Sequence, residues 1–513
     1  MPPAPLRPPA SLRSVVRTDV PTRENAAGSR GPVWLVPRAV AYPRHAEEAA
    51  EVIRWCAAEG LAVTPRGAGT GMPGGNVGDD VVLDLSALTE IEWTDDDQLL
   101  AGAGVIAADL DGVARSRGLH FPALPSSAPW CTVGGMVATD AAGARSFRFG
   151  ATHAWTTGLG TVRASGQPER HGSPPTAGDS AWSHLADVLR STPLPSRPSL
   201  AKNSSGYAVE RFLGSGDPIQ LIAGSEGTLC VVTDVTVRPV ALPERRGVAL
   251  LGIADLDEMT GLIETVREAG ATACEYFGVR LLELGRLLGD ARLDGLDTRD
   301  GVLLVEFAGS GDEVDAGLVG VDAAWRRRGG ARLARERVEV DGLWSLRHSA
   351  SPAIAIAAGD RRSVQFIEDS VVPAGALPAY VRGIEAALAR QGWEGVIFGH
   401  AGDGNLHVNP LVDFQDPQWR TRVLDVIDEV VDLVGALGGT LSGEHGDGRV
   451  RAPFLSRVWP VPHLNAFHRV KSTLDPLGVL NPGVVLPLEG QDPLRGFAAG
   501  PDLQRLAASG STR

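Results

Sequence analysis

Three histidines and a glutamate stand in two glycine-rich runs, Gly399-His400-Ala401-Gly402-Asp403-Gly404-Asn405-Leu406-His407 and Ser442-Gly443-Glu444-His445-Gly446-Asp447-Gly448. Imidazole and carboxylate together suit a catalytic divalent ion, which takes three protein ligands and keeps positions open for substrate oxygens. The interleaved glycines let backbone approach closely. Asp403-Gly404 is a two-residue hairpin signal and predicts a type I′ turn. With that turn His400 and His407 are direct cross-strand partners, their Cβ atoms about 4.5–5.5 Å apart on one face. Asn409 points to the same side by strand periodicity. A histidine pair alone reads first as hydrogen-bonded core or surface residues; the second run moves the reading to a metal and proton-transfer site. Glu444 and His445 are adjacent, so in an extended chain they point oppositely, one toward an ion and the other elsewhere.

A second feature lies upstream, in Pro65-Arg66-Gly67-Ala68-Gly69-Thr70-Gly71-Met72-Pro73-Gly74-Gly75. Gly69, Gly71 and Gly74 match the dinucleotide fingerprint GxGxxG, but that motif needs a helix N-terminus next, and here the strand-like VVLDL follows. Backbone amides of such a loop can still cradle phosphate without a helix. Three more small-residue loops come later: Pro125-Ser126-Ser127 leading into Thr132 through Gly143, then Lys202-Asn203-Ser204-Ser205-Gly206-Tyr207, then Gly224-Ser225-Glu226-Gly227-Thr228-Leu229. Four such loops in this order resemble the flavin-binding domain of the vanillyl-alcohol-oxidase / p-cresol-methylhydroxylase (PCMH) superfamily. The resemblance implies FAD, with its pyrophosphate at Arg66, Gly67, Ala68, Gly69, Thr70 and Gly71 and at Pro125, Ser126 and Ser127. It places more of the dinucleotide along Thr132, Gly134, Gly135, Thr139 and Gly143, and a C-terminal flavin contact at Asn481-Pro482-Gly483. No histidine lies in the 65–78 loop, so the FAD is expected to be non-covalent. Cys131 lies near, but out of register with, the cysteinyl link of some relatives, and reads as a packed thiol.

Taken with GHAGDGNLH and SGEHGDG, the resemblance narrows to the FAD-dependent D-2-hydroxy-acid dehydrogenases, the group of D-lactate dehydrogenase, the glycolate oxidase flavin subunit and D-2-hydroxyglutarate dehydrogenase, over residues 32–487. It implies oxidation of a D-2-hydroxy acid to the 2-oxo acid. His400, His407 and Glu444 match metal ligands, for zinc before manganese or iron, and His445 matches a catalytic base. Arg347 matches the arginine that orients the substrate carboxylate in catalysis, and Ser351 and Asn409 match further substrate contacts. The hydroxyglutarate enzymes carry a lysine where this chain has Ile367; Arg361 or Arg362 would have to replace that cation. The electron acceptor implied is a quinone, an electron-transfer flavoprotein or a cytochrome. Two other readings stand beside this one. A flavin-dependent transferase of the alkyl-dihydroxyacetonephosphate synthase type keeps the fold but lacks the metal set, and a non-catalytic or electron-transfer flavoprotein subunit keeps only the flavin.

The elements that position these residues read as α+β. A two-part PCMH-type FAD-binding domain is expected over 32–243, an α+β substrate or cap domain over 244–395, and a C-terminal helical and strand segment over 396–487 that completes the active site. Residues 1–31, rich in proline and arginine, and 488–513 read as loose ends. At 513 residues the chain can hold two or three cores. Its hydrophobic fraction of 43% and its charged fraction of 21% are those of a globular protein. A net charge of −14 disfavours nucleic acid and anionic membrane as partners. No apolar run reaches the roughly 18 residues of a membrane span, and no secretory signal opens the chain, so a cytoplasmic protein is expected. A homodimer is compatible with the sequence. Cys56, Cys131, Cys230 and Cys274 are widely spaced with no CxxC, which argues against an iron–sulfur cluster or a disulfide framework.

Overall fold

The first sheet contains a βαβ unit. The computed structural model describes residues 6–173, 180–287, 291–348, 350–359 and 361–497. Strand β1 (Val16–Arg17) pairs antiparallel with β2 (Ala39–Ala41), and β3 (Val63–Arg66) and β4 (Val81–Asp84) complete the order β1-β2-β4-β3 with parallel ladders. Helix Ala46–Glu59 makes the crossover from β2 to β3: His45 caps its start, Ala49, Val52, Ile53 and Cys56 bury one face, and Gly60 at φ 65° ends it. The glycine loop leaves the end of β3, and no helix follows it before β4, as the failed fingerprint requires.

Residues from 6 onward are not a loose end. Leu12, Val15 and Val16 join the apolar cluster under helix Ala46–Glu59, because three aliphatic residues among the prolines are enough to dock the segment. The other end is tied down as far as residue 497: Leu494 is 1% exposed and Phe497 bridges to Val33. Residues 498–513 of the expected tail lie outside the described residues.

The second sheet is antiparallel. Strands β5 (Ile91–Trp93), β6 (Leu99–Gly102), β8 (Thr156–Val162), β9 (Pro168–Gly172) and β10 (Val231–Val237) lie in the order β5-β6-β10-β8-β9, while β7 (Leu119–His120) pairs with β11 (Val240–Ala241). Helix Val133–Thr139 packs beside β6, its first turn capped by Thr132 Oγ1 accepting from the Gly135 amide. A Cβ on Gly134 would lie 2.5 Å from Ala103 Cβ, so glycine sets how close the helix comes.

The third sheet has eight antiparallel strands: β12 (Arg245–Gly252), β13 (Ala273–Phe277), β14 (Val302–Gly309), β15 (Ala331–Ala334), β16 (Arg362–Ser363), β17 (Ser370–Val371), β18 (Gly395–His400) and β19 (Asn405–Val412). Its path is β15-β12-β14-β13-β18-β19-β16, with β17 also on β19. The expected boundary between 395 and 396 therefore cuts through β18, and the histidine hairpin belongs to the substrate domain's own sheet.

The register of that hairpin differs from expectation by two residues. His407 faces Phe398 and His400 faces Asn405, because the connection is the four-residue turn Ala401–Gly404. Only Gly404 takes a positive φ, 73°, whereas a type I′ turn needs two such residues. Asp403 is held in a helical turn by Ser146 Oγ, which donates to its carboxylate at 2.6 Å, and Gly402 sits against the Phe147 ring. His400 and His407 are thus diagonal neighbours, a separation that two imidazoles still bridge.

Candidate active site

Sheet, hairpin and the Ser442–Gly448 run bring three ligand atoms together. His400 Nε2 lies 3.0 Å from Glu444 Oε1 and 3.4 Å from His407 Nε2, and His407 Nε2 lies 3.4 Å from the same glutamate oxygen. Ligands held about 2.0–2.2 Å from a tetrahedral zinc ion are about 3.3–3.6 Å apart, so two edges of this triangle match such an ion and the third is slightly short. His400 Nδ1 is 2.5 Å from Glu275 Oε1, and a carboxylate there turns the Nε2 lone pair outward. His407 Nδ1 has no hydrogen-bond partner among the described residues; Glu368 Oε2 is the near carboxylate, at 3.5 Å.

Charge makes the same case. Glu275, Glu368, Asp369, Asp403 and Glu444 are all buried carboxylates, and the cations in ion-pair contact with them in this cluster are Lys202, Arg347 and Arg451. With neutral imidazoles the cluster holds two more negative charges than positive ones. Burial pulls an imidazole's pKa down, but the carboxylates outweigh it: Glu275 raises His400, and Glu368 with Asp369 pushes His445 up to about 9. Burial would raise Glu444, yet Lys202 and His400 hold it well below the usual range. Such a cluster takes either protons on its imidazoles or one divalent cation, and the residues present fit the ion.

His445 is the exposed member, with 29% of its side chain accessible. Its Nδ1 lies 2.8 and 3.0 Å from the two Glu368 oxygens, and its ring stacks on His407 with centroids 5.3 Å apart. Glu368 is itself held by Arg451. The run carrying Glu444 and His445 is fixed from behind by Asp369, which accepts from the amides of Gly443 (3.1 Å), Glu444 (3.2 Å) and His445 (2.9 Å) and from Ser442 Oγ (2.7 Å). Asp369 adopts φ 80° to do so. Asp369→Asn would turn an amide NH2 toward these donors and leave Arg451 without one carboxylate. It is expected to lower the midpoint of thermal unfolding by roughly 5–10 °C, measured on the FAD-loaded protein.

A cavity of about 660 Å³ joins this cluster to the glycine loops: its wall includes Gly67–Gly71, Pro125–Ser127, Thr132, Gly135 and Thr139 at one part and Arg347, Asn409, His407, Glu444 and His445 at another. The loops are packed as only glycine permits. A Cβ on Gly67 would lie 2.2 Å from Thr132 Oγ1, and Gly69 has φ 76°. The cradle fits an extended dinucleotide; Arg66 lines it and has a second duty, whereas two implied contacts, Gly143 and Asn481, do not line it. Arg66 donates to the carbonyls of Gly28 (2.9 Å) and Asn76 (3.2 Å), so its guanidinium stitches the loop. Gly143 is pressed on the Leu124 carbonyl and shapes the wall from behind. Asn481 is fully buried, donating to the carbonyls of Gly75 (2.7 Å) and Glu226 (2.8 Å), and does not line the cavity. Cys131 lines the cavity as a thiol that burial pushes up to about 11.

Arg347 lies over the Phe398 ring at 4.5 Å and gives Nε to Glu275 at 3.0 Å. Ser351 stands in helix Ala350–Ala358, and its side chain lies outside the described residues. Ile367 is 4% exposed in the apolar core, and Gln365 lines the cavity instead. Arg361 pairs with Glu394 away from the cavity wall, and Arg362 is exposed. Sequence reasoning missed Glu275, Glu368, Asp369 and Arg451 as parts of the site and read Lys202 as flavin-loop only. The available signals were a carboxylate inside the otherwise apolar strand Ala273–Phe277 and the acidic pair before Ser370. Among the described residues no helix is long and apolar enough to cross a membrane.

Residues 37–172 match the family model described as FAD binding domain, and residues 242–485 match FAD linked oxidases, C-terminal domain. A D-lactate dehydrogenase of Archaeoglobus fulgidus is 30% identical over 89% of this chain and 94% of its own. The glycolate oxidase subunit GlcD of Bacillus subtilis is 29% identical over 87% and 88%, and a D-2-hydroxyglutarate dehydrogenase of Xanthomonas citri is 29% identical over 87% and 89%. The fold is shared with a solved alkyldihydroxyacetonephosphate synthase (TM-score 0.66, 15% identity, 94% of this chain and 86% of that one). It is shared too with 4-ethylphenol oxidase from Gulosibacter chungangensis (TM-score 0.66, 18% identity, 93% and 95%). With both halves matched and relatives aligned almost end to end, this chain belongs to the FAD-dependent D-2-hydroxy-acid dehydrogenases of the PCMH-type flavoprotein superfamily and is an FAD-linked oxidoreductase.

Proposed function

We propose that this enzyme oxidises a D-2-hydroxy acid of the lactate, glycolate or hydroxyglutarate kind to the 2-oxo acid. The observation that carries the reading is the single cavity walled both by the flavin loops and by Arg347, Asn409, His407, Glu444 and His445. FAD when bound would supply the hydride acceptor, and His400, His407 and Glu444 would hold a divalent ion, zinc before manganese or iron, which would supply a Lewis acid for the substrate oxygens. His445 Nε2 takes the hydroxyl proton, with Glu368 on Nδ1 fixing the ring and balancing the imidazolium charge. Arg347, whose Nε is held by Glu275, pairs with the carboxylate. Asn409 Oδ1 accepts from Gln365 Nε2 at 3.2 Å, leaving its NH2 as the donor to a substrate oxygen. A quinone, an electron-transfer flavoprotein or a cytochrome takes the electrons onward.

The test is anaerobic addition of D-lactate, glycolate, D-2-hydroxyglutarate and longer D-2-hydroxy acids while flavin absorbance is followed. Bleaching by one or more of them is expected, and Arg347→Met should lower the second-order rate about 10- to 100-fold. No bleaching by any, with metal supplied, would favour a non-catalytic flavoprotein.

A further inference from the structure

Lys202 belongs to the first, flavin-binding half of the chain, yet its ammonium lies inside the histidine cluster. It is 4% exposed, with Nζ 2.8 Å from Glu444 Oε2 and 3.6 Å from Asp403 Oδ2. The other oxygen of Glu444, Oε1, is the one that faces His400 Nε2 at 3.0 Å and His407 Nε2 at 3.4 Å. The two oxygens of one carboxylate are thus divided between a lysine and the ligand triangle.

This placement is held by a strip of bonds. Residues 202–206 run past residues 442–447: the Ser204 amide donates to the Ser442 carbonyl (3.0 Å), the two serine hydroxyls bond each other (2.9 Å), and the Gly206 amide donates to Asp447 (2.7 Å). The Gly446 amide donates to Ser204 Oγ at 3.3 Å. Lysine, a compact cation with three N–H donors, can hold one carboxylate oxygen while leaving its twin unencumbered.

We propose that Lys202 is a positioning residue of the metal site: it keeps Glu444 a one-oxygen ligand and so preserves open positions on the ion for substrate. The proposal rests on the metal reading given above. Without this ammonium, Oε2 would be a buried, unpartnered carboxylate oxygen beside a divalent ion, and chelation by both oxygens would follow. Each extra protein oxygen on the ion closes a position that a hydroxy acid needs. Because the lysine and the ligands come from different halves of the chain, the docking of the two halves sets the coordination number.

The experiment uses the FAD-loaded protein with cobalt(II) as the probe ion, in wild type, Lys202→Met and Lys202→Arg. FAD content reports folding, metal analysis reports occupancy, and the visible d–d band, which weakens as coordination number rises, reports the ligand set. Wild type and Lys202→Met are expected to hold one cobalt per chain. The Lys202→Met band should weaken and turnover should fall about 10- to 100-fold, while Lys202→Arg restores the wild-type band. An unchanged band in Lys202→Met, or loss of cobalt from it with FAD retained, overturns the proposal. Failure of wild type to bind cobalt overturns the metal reading itself and the lysine's role with it.

Discussion

His445→Ala is expected to leave FAD bound and to slow its reduction by substrate about 10²- to 10⁴-fold, the range over which a positioned general base contributes. Three features single this residue out. It is the most accessible imidazole of the cluster and lines the cavity, its Nδ1 is fixed by Glu368, and its Nε2 stands 3.8 Å from the Glu444 oxygen. A substrate hydroxyl brought against the proposed ligand set would therefore have Nε2 as its proton acceptor. Glu368→Gln keeps a hydrogen-bond partner on Nδ1 but removes the charge that offsets an imidazolium, so its effect should be smaller and should fall on the reduction step. Stopped-flow absorbance under anaerobic conditions separates these outcomes. Bleaching of the alanine variant at the wild-type rate would remove His445 from the chemistry.

Much of the fold was legible because its signals are local. Helix Ala46–Glu59 has an apolar face and a terminal glycine at the expected places, and the strand after the glycine loop excluded the dinucleotide fingerprint at once. The hairpin shows where local signals stop. Asp403-Gly404 is a turn signal on its own, but Ser146, far away in sequence, binds Asp403, and Phe147 packs on Gly402. These tertiary contacts impose a longer turn and shift the register by two residues. The supporting carboxylates were hidden for the same reason. Glu275 meets His400 across 125 residues, and Lys202 meets Glu444 across 242, so neither pairing has any signature in spacing. Composition misled at the N-terminus, where proline and arginine masked the few aliphatic residues that dock it.

On the proposed metal reading, treatment with a chelator is expected to abolish turnover while FAD stays bound, with zinc or manganese restoring it, and pH should govern both the loss and the return. In the metal-free cluster, burial lowers the imidazoles but Glu275 raises His400, and Glu368 carries His445 up from 6.5 to about 9. His400 must shed its proton before Nε2 can act as a ligand, so ion affinity should rise with pH, by about tenfold per unit while one proton is displaced. Linkage fixes the sign for stability. A raised imidazole adds stability that is fully present below its ordinary value of 6.5 and is lost as pH climbs through about 9. Glu275, lowered from 4.5 to about 2 by His400 and Arg347 against burial, acts oppositely: its contribution holds above 4.5 and is lost as pH falls toward 2. The chelated protein should therefore be most stable between about pH 5 and 6.5 and should weaken toward pH 9 and beyond, whereas an ion on His400, His407 and Glu444 would take the place of the His400 proton and oppose the His445 proton by its charge, so the alkaline loss should shrink. Thermal melts of chelated and reloaded enzyme across this range decide the matter. Equal melting temperatures for the chelated protein at neutral and strongly alkaline pH would mean that the excess negative charge of the cluster is neutralised elsewhere.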